Sequence, residues 1–123
     1  MTILLVLLLQ IAPLDWATLP ELAYRNPPAI APNMVRFVAT EVSEGRCKIT
    51  DTAKAAQALA VDVAVLVEPD GTVRSVVPKA IQCPNVEQYT AGLVTAFTRN
   101  NLLPRGAQGD QWYRATVTFS WKK

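Results

Sequence analysis

The stretch Val61-Asp62-Val63-Ala64-Val65-Leu66-Val67-Glu68-Pro69-Asp70-Gly71-Thr72-Val73-Arg74-Ser75-Val76-Val77 decides the fold. Valines recur at every second position from Val61 to Val67, and a second run rich in β-branched residues follows the turn. Side chains of that shape are stiff at χ1 and pack well on a pleated surface, so both runs favour strand over helix. Between them, Pro69 presets φ for a central turn position, Asp70 can bond the backbone two residues on, and Gly71 accepts a positive φ. The stretch therefore predicts a β-hairpin. Two strands alone are marginal in water, so a further strand or a helix must cover one face.

Those covering elements are legible downstream. Cys83-Pro84-Asn85 interrupts the chain. Asn85 has the chemistry of an N-cap, Gln88 stands where a capping box needs it, and Glu87 suits the positive end of a helix. A helix is predicted from Val86 to about Asn100, with Val86, Tyr89, Leu93, Ala96 and Phe97 as its apolar stripe. Arg99 would lie in its last turn, and Asn100, Asn101 and Pro104 would end it. A loop spans Leu102 to Asp110. From Trp112 to Trp121 the alternation is clean, with Tyr113, Ala115, Val117, Phe119 and Trp121 on one face and Trp112, Arg114, Thr116, Thr118 and Ser120 on the other. The expected fold is α+β in two layers, strand-strand-helix-strand, with an antiparallel hairpin and one long helix on a small sheet. The last strand should pair most simply beside the first.

Upstream the signals are weaker. Ile3 to Ile11 is a nearly continuous apolar run, too short for a bilayer span of about 20 residues but suited to the core of a secretory signal. A buried N-terminal element and a membrane anchor are the other readings. Pro20, Pro27, Pro28 and Pro32 favour extended chain between residues 14 and 33, as a linker or a strap over the domain. Met34 to Val38 reads as a short strand, and Asp51 as the cap of a short alanine-rich helix over Thr52 to Ala58. The organisation is thus an apolar segment over residues 1–13, a proline-rich strap over 14–33 and a domain over 34–123.

Composition narrows the function. With 123 residues, half of them apolar, the chain makes one domain with one modest core. Its 12 basic and 10 acidic side chains give a formal charge of only +2, and the basic residues are scattered, which argues against nucleic acid as a partner. Histidine is absent, so neither a cysteine hydrolase of the usual kind nor a structural zinc site has its parts. Glu68 and Asp70 read as turn residues rather than an acid/base pair, and Gly106-Ala107-Gln108-Gly109 lacks the features of a phosphate loop. The expectation is a protein with no catalytic residues, cofactor or metal. Cys47 and Cys83 are the two cysteines; they fit either one disulfide, in an oxidising compartment, or two buried thiols.

The ordered set Val61–Val67, then Asp70-Gly71-Thr72-Val73, then a helix closing on Asn101-Leu102-Leu103-Pro104, then Tyr113-Arg114-Ala115-Thr116-Val117-Thr118-Phe119-Ser120-Trp121, resembles the C-terminal domain of TonB. TonB is the periplasmic energy-transducing protein of Gram-negative bacteria, and the resemblance covers about residues 59–121. It implies an envelope-located α+β domain that binds a peptide segment of an outer-membrane transporter by adding a strand to a sheet edge. An exposed edge offers unpaired N–H and C=O groups that a partner strand or a second copy of the chain can satisfy. On this reading the partner-binding edge is Trp112, Arg114, Thr116, Thr118 and Ser120. The rival reading is a structural or accessory subunit of a membrane-associated assembly, in which Ile3–Ile11 is retained and meets a partner.

Overall fold

The computed structural model describes residues 14–47, 58–106 and 109–121. Three strands, β1 (Ala58–Val67), β2 (Val73–Pro78) and β3 (Gln111–Ser120), form one antiparallel sheet in the order β2-β1-β3. Two helices, α1 (Pro32–Ser43) and α2 (Pro84–Phe97), pack on one face. The hairpin forms as its residues dictate. The Asp70 carboxylate accepts the Thr72 N–H at 2.9 Å, Gly71 takes φ of 94°, and the Gly71 N–H donates to the Glu68 carbonyl at 2.9 Å. The bond from the Thr72 N–H holds the Asp70 carboxyl below its ordinary range.

The core is the period-two set of the hairpin. Val61, Val63, Val65 and Val67 are all fully buried and meet Val38 of α1, Val86 and Val94 of α2, and Ala115, Val117 and Phe119 of β3. Burial of each such valine stabilises by up to about 1.5 to 3 kcal/mol. Because β1 is central, it carries the core for both neighbours.

Several expectations are corrected. Met34 to Val38 is not a strand: it lies within α1. Pro32 at the first helical position supplies the preset φ, and Met34, Phe37, Val38, Glu41 and Val42 fall at three- and four-residue steps on the inward side. The helical layer therefore has two members rather than one. Ala58 opens β1 instead of closing a helix; the rest of that expected helix lies outside the described residues.

The start of α2 also differs. Cys83, not Asn85, is its N-cap, because Pro84 takes the first helical position, where a missing N–H costs nothing. The N–H groups of Ile81 and Cys83 donate to the Glu87 carboxylate at 2.9 and 3.0 Å, in place of a capping box through Gln88. Finally, the fully buried line of α2 is Val86, Thr90 and Val94, flanked by Tyr89, Leu93 and Phe97, whereas Ala96 is exposed. Thr90 is tolerated there because its hydroxyl donates to the Val86 carbonyl at 2.7 Å. The helix ends at Phe97, which leaves Arg99 beyond it.

Cys47 and Cys83 are joined in a disulfide that ties the segment after α1 to the N-terminus of α2. Beside it, the Glu41 side chain, only 6% exposed, accepts from Arg46 Nε at 2.9 Å and from Asn85 Nδ2 at 3.0 Å. These bonds, the one from Arg46 foremost, hold the Glu41 carboxyl below its usual range and raise the Arg46 guanidinium further. A covalent bond and a charged hydrogen-bond cluster thus fix the same junction between the two helices.

Candidate functional site: the outer edge of β3

The order β2-β1-β3 leaves two sheet edges, and the backbone pattern of each follows from a few bonds. At β3, the Arg114 N–H donates to the Pro20 carbonyl at 2.8 Å and the Arg114 carbonyl accepts from the Leu22 N–H at 2.9 Å. Both Arg114 groups therefore point away from β1. In an antiparallel ladder every second residue does the same, so Trp112, Thr116, Thr118 and Ser120 also present their N–H and C=O groups outward. The intervening Tyr113, Ala115, Val117 and Phe119 bond to β1. All five residues expected to form the edge are on it, on the face of β3 turned from the helices; Thr116, Thr118 and Ser120 are exposed, while Trp112 and Arg114 are half-buried.

What covers Arg114 is the proline-rich strap. Its residues 20–22 make a one-residue parallel bridge, Glu21 to Arg114. Arg114 also donates from Nη1 to the Trp16 carbonyl at 3.1 Å, and Lys79 Nζ lies 5.8 Å from the centroid of the Trp16 ring. These contacts place the strap's start, with its 3-10 turn Trp16–Thr18, over the sheet face opposite the helices. Ala64 on that face, between Arg114 and Val77 in the ladders, is fully buried. Past Leu22 the strap leaves β3. The Ala23 carbonyl accepts from the Leu103 N–H at 3.1 Å, the Arg25 N–H donates to the Asn101 carbonyl at 2.6 Å, and the Asn101 side chain bonds both backbone groups of Asn26 at 2.8 Å. Burial against these loops raises the Tyr24 hydroxyl above its ordinary pKa.

Among the described residues, the outward groups of Thr116, Thr118 and Ser120 meet no backbone partner. One side-chain bond braces this part of β3 inward: the Thr116 hydroxyl lies 2.6 Å from Asp62 Oδ1 on β1.

The opposite edge is built differently. Lys79 donates its N–H to the Asp62 carbonyl at 2.9 Å, so Lys79 and Val77 face β1 while Pro78 and Val76 face out. Pro78 thus removes no ladder bond, and its ring blocks an incoming strand. A bulge lies where the pairing passes from Leu66–Ser75 to Val67–Val73, leaving Arg74 as the extra residue. Arg74 bonds to Asp110 at 2.8 Å and approaches Glu68 at 3.7 Å. A charge, a bulge and a proline are the devices by which edges resist pairing. The Thr116–Ser120 edge has none of them.

Comparison with protein-family models, with curated proteins and with solved structures returned no match to this chain.

Cavities also lie elsewhere among the described residues. A polar cleft of about 490 Å³ runs between the hairpin turn and the end of α2, lined among others by Arg25, Asp70, Thr95, Thr98, Arg99 and Asn101. Its polar groups are engaged locally, Asp70 by the Thr72 N–H, Thr98 by the Thr95 carbonyl and Asn101 by Asn26 and Phe97. A smaller apolar cavity of about 180 Å³ lies beside Leu22, Val67, Leu102 and Tyr113. Arg105 stacks over Tyr113 at 5.3 Å on its wall and donates to the Val67 and Gly109 carbonyls. Among the described residues no helix is long and apolar enough to cross a membrane; Ile3–Ile11 lies outside them.

Alternation put Trp112, Arg114, Thr116, Thr118 and Ser120 on one face of a strand, and the TonB resemblance implied that they form an edge, but neither signalled the role of Pro20, Glu21 and Leu22. Proline spacing signalled an extended strap, yet nothing in it says which strand the strap joins. Asp62 was likewise missed, because its partner Thr116 is 54 residues away.

Proposed function

We propose that this chain is a non-catalytic interaction domain that binds an extended peptide by strand addition to the outer edge of β3, between Thr116 and Ser120. The observation that carries this reading is the asymmetry of the two edges: β2 is guarded by Arg74, its bulge and Pro78, whereas the outer half of β3 presents uncharged, exposed Thr116, Thr118 and Ser120. Main-chain bonds to such an edge supply affinity, and side chains on alternate positions supply selectivity. The likeness of residues 59–121 to the TonB C-terminal domain points the same way and suggests a segment of an outer-membrane transporter as the partner. The Cys47–Cys83 disulfide favours a non-reducing compartment, in keeping with a cell-envelope location.

The test is a pair of variants in a peptide titration followed by backbone amide shifts. Thr118→Pro removes an outward N–H and leaves every bond to β1 in place, so the fold is retained and peptide binding at β3 is lost. Val76→Pro makes the same change on the guarded edge and leaves binding intact. Equal loss of binding in both variants, or none in Thr118→Pro, would overturn the assignment.

A further inference from the structure

The strap meets β3 at a single residue, and its own chemistry explains why pairing stops there. In a parallel ladder the next bond upstream would run from the N–H of residue 20 to the Trp112 carbonyl, but Pro20 has no N–H. Downstream, pairing would continue to Thr116 through the Leu22 carbonyl and the Tyr24 N–H. Instead Ala23 and Arg25 bond to Leu103 and Asn101, Tyr24 bridges to Leu102, and the strap turns off the edge. The Asn26–Asn101 pair and the Arg25 Nη2 bond to the Leu102 carbonyl at 3.2 Å lock that turn. The strap is thus held on both sides of Arg114, by Trp16 before it and by residues 23–26 after it.

We infer that the strap is a fixed end stop on the β3 edge, which makes the Thr116–Ser120 segment a slot that admits an extended segment of about five residues without acidic side chains. This inference rests on the strand-addition reading above and adds its length limit and the chemistry of the occupant. Three outward residues, Thr116, Thr118 and Ser120, supply the pairing groups, and the strap backbone at Leu22 occupies the position a longer strand would need. The hydroxyls of the three residues favour threonine or serine beside them on the outer face. Asp62, whose carboxylate accepts from the Thr116 hydroxyl, stands beside the slot on that face and disfavours an acidic occupant.

The experiment uses the full, oxidised chain, uniformly labelled with nitrogen-15, and end-blocked peptides of alternating threonine and valine, three, five, seven and nine residues long. Affinity is read from the amides of Thr116 and Thr118, and the strap from hydrogen exchange of the Leu22 amide. Two added main-chain bonds strengthen binding by about tenfold or more. Affinity should therefore rise at least tenfold from three residues to five and then change less than threefold up to nine, with the Leu22 amide protected throughout. A continued tenfold rise beyond five residues, or loss of Leu22 protection on binding, would overturn the end stop and make the strap a displaceable strand. Failure of every peptide to shift Thr116 and Thr118 would overturn strand addition itself, and the slot with it. In Leu22→Pro, which removes the donor to the Arg114 carbonyl, the nine-residue peptide should bind about tenfold more tightly than the five-residue one; should this variant not fold, Leu22 exchange in the native chain decides the question.

Discussion

Reducing the Cys47–Cys83 disulfide should lower the stability of the domain by about 3 to 4 kcal/mol. The two cysteines are 36 positions apart, and a closed loop of that length removes about 13 cal/mol/K of chain entropy from the unfolded state, or about 3.8 kcal/mol at 25 °C. Cys83 is 1% exposed and Cys47 8%, so the free thiols would occupy the volume the disulfide leaves, and no cavity adds to the loss. For a domain of about 100 residues the change corresponds to a fall in Tm of roughly 15 °C. The assay is urea unfolding followed by circular dichroism, with and without a phosphine reductant, with thiol labelling to verify complete reduction. Because the reduced unfolded chain is less compact, the denaturant slope m should rise as the midpoint falls. A loss below about 1 kcal/mol, or a fall in stability at constant m, would refute the chain-entropy argument; the first would mean that the Glu41–Arg46–Asn85 cluster holds the helix junction without the covalent link.

Two further expectations concern the fold. Phe119→Ala, at a fully buried site where β3 meets the helical layer, should cost about 3 to 5 kcal/mol in the same unfolding assay, the spread reflecting how far the site can collapse. Glu41 has a folded-state pKa depressed by Arg46 and Asn85, so its contribution is present above the unfolded carboxyl pKa. That contribution is lost as pH falls from the ordinary carboxylate range through the lower folded value. Glu41→Gln should therefore flatten the acid limb of stability against pH, and an unchanged limb would show that other carboxyls set it.

Period and turn chemistry were sufficient for the hairpin and β3, because every second residue of β1 and β3 is apolar and Pro69-Asp70-Gly71 has one natural geometry; the order followed only on the assumption that the helix makes a full return crossing. The same reasoning failed where an apolar run was too short to display its period. Met34 to Val38 is ambiguous over five residues, and the signal that resolves it, Pro32 before and Glu41-Val42 after, lies outside that window. At α2, Thr90 reads as polar and so shifted the expected stripe, whereas its hydroxyl is satisfied within its own helix. Whether the cysteines bond was undecidable from spacing, since only the packed fold brings the segment after α1 to the start of α2. The alternating face of β3 was legible as a set of residues, but the occupied and open halves of its edge were not, because that division depends on where a strap of prolines crosses a strand some 90 positions away.

The disulfide loop also encloses the whole hairpin, since β1 and β2 both lie between Cys47 and Cys83. The order of events in folding is constrained by this nesting. Hairpins close in microseconds, whereas oxidation of thiols takes seconds or longer, so β1 and β2 pair first and shorten the effective loop the cysteines must close. The bond that forms then favours a segment that already has its register. β3 pairs with β1 across some 50 residues, more slowly than the hairpin closes but ahead of oxidation, so the two thiols meet in a sheet that already has its three strands.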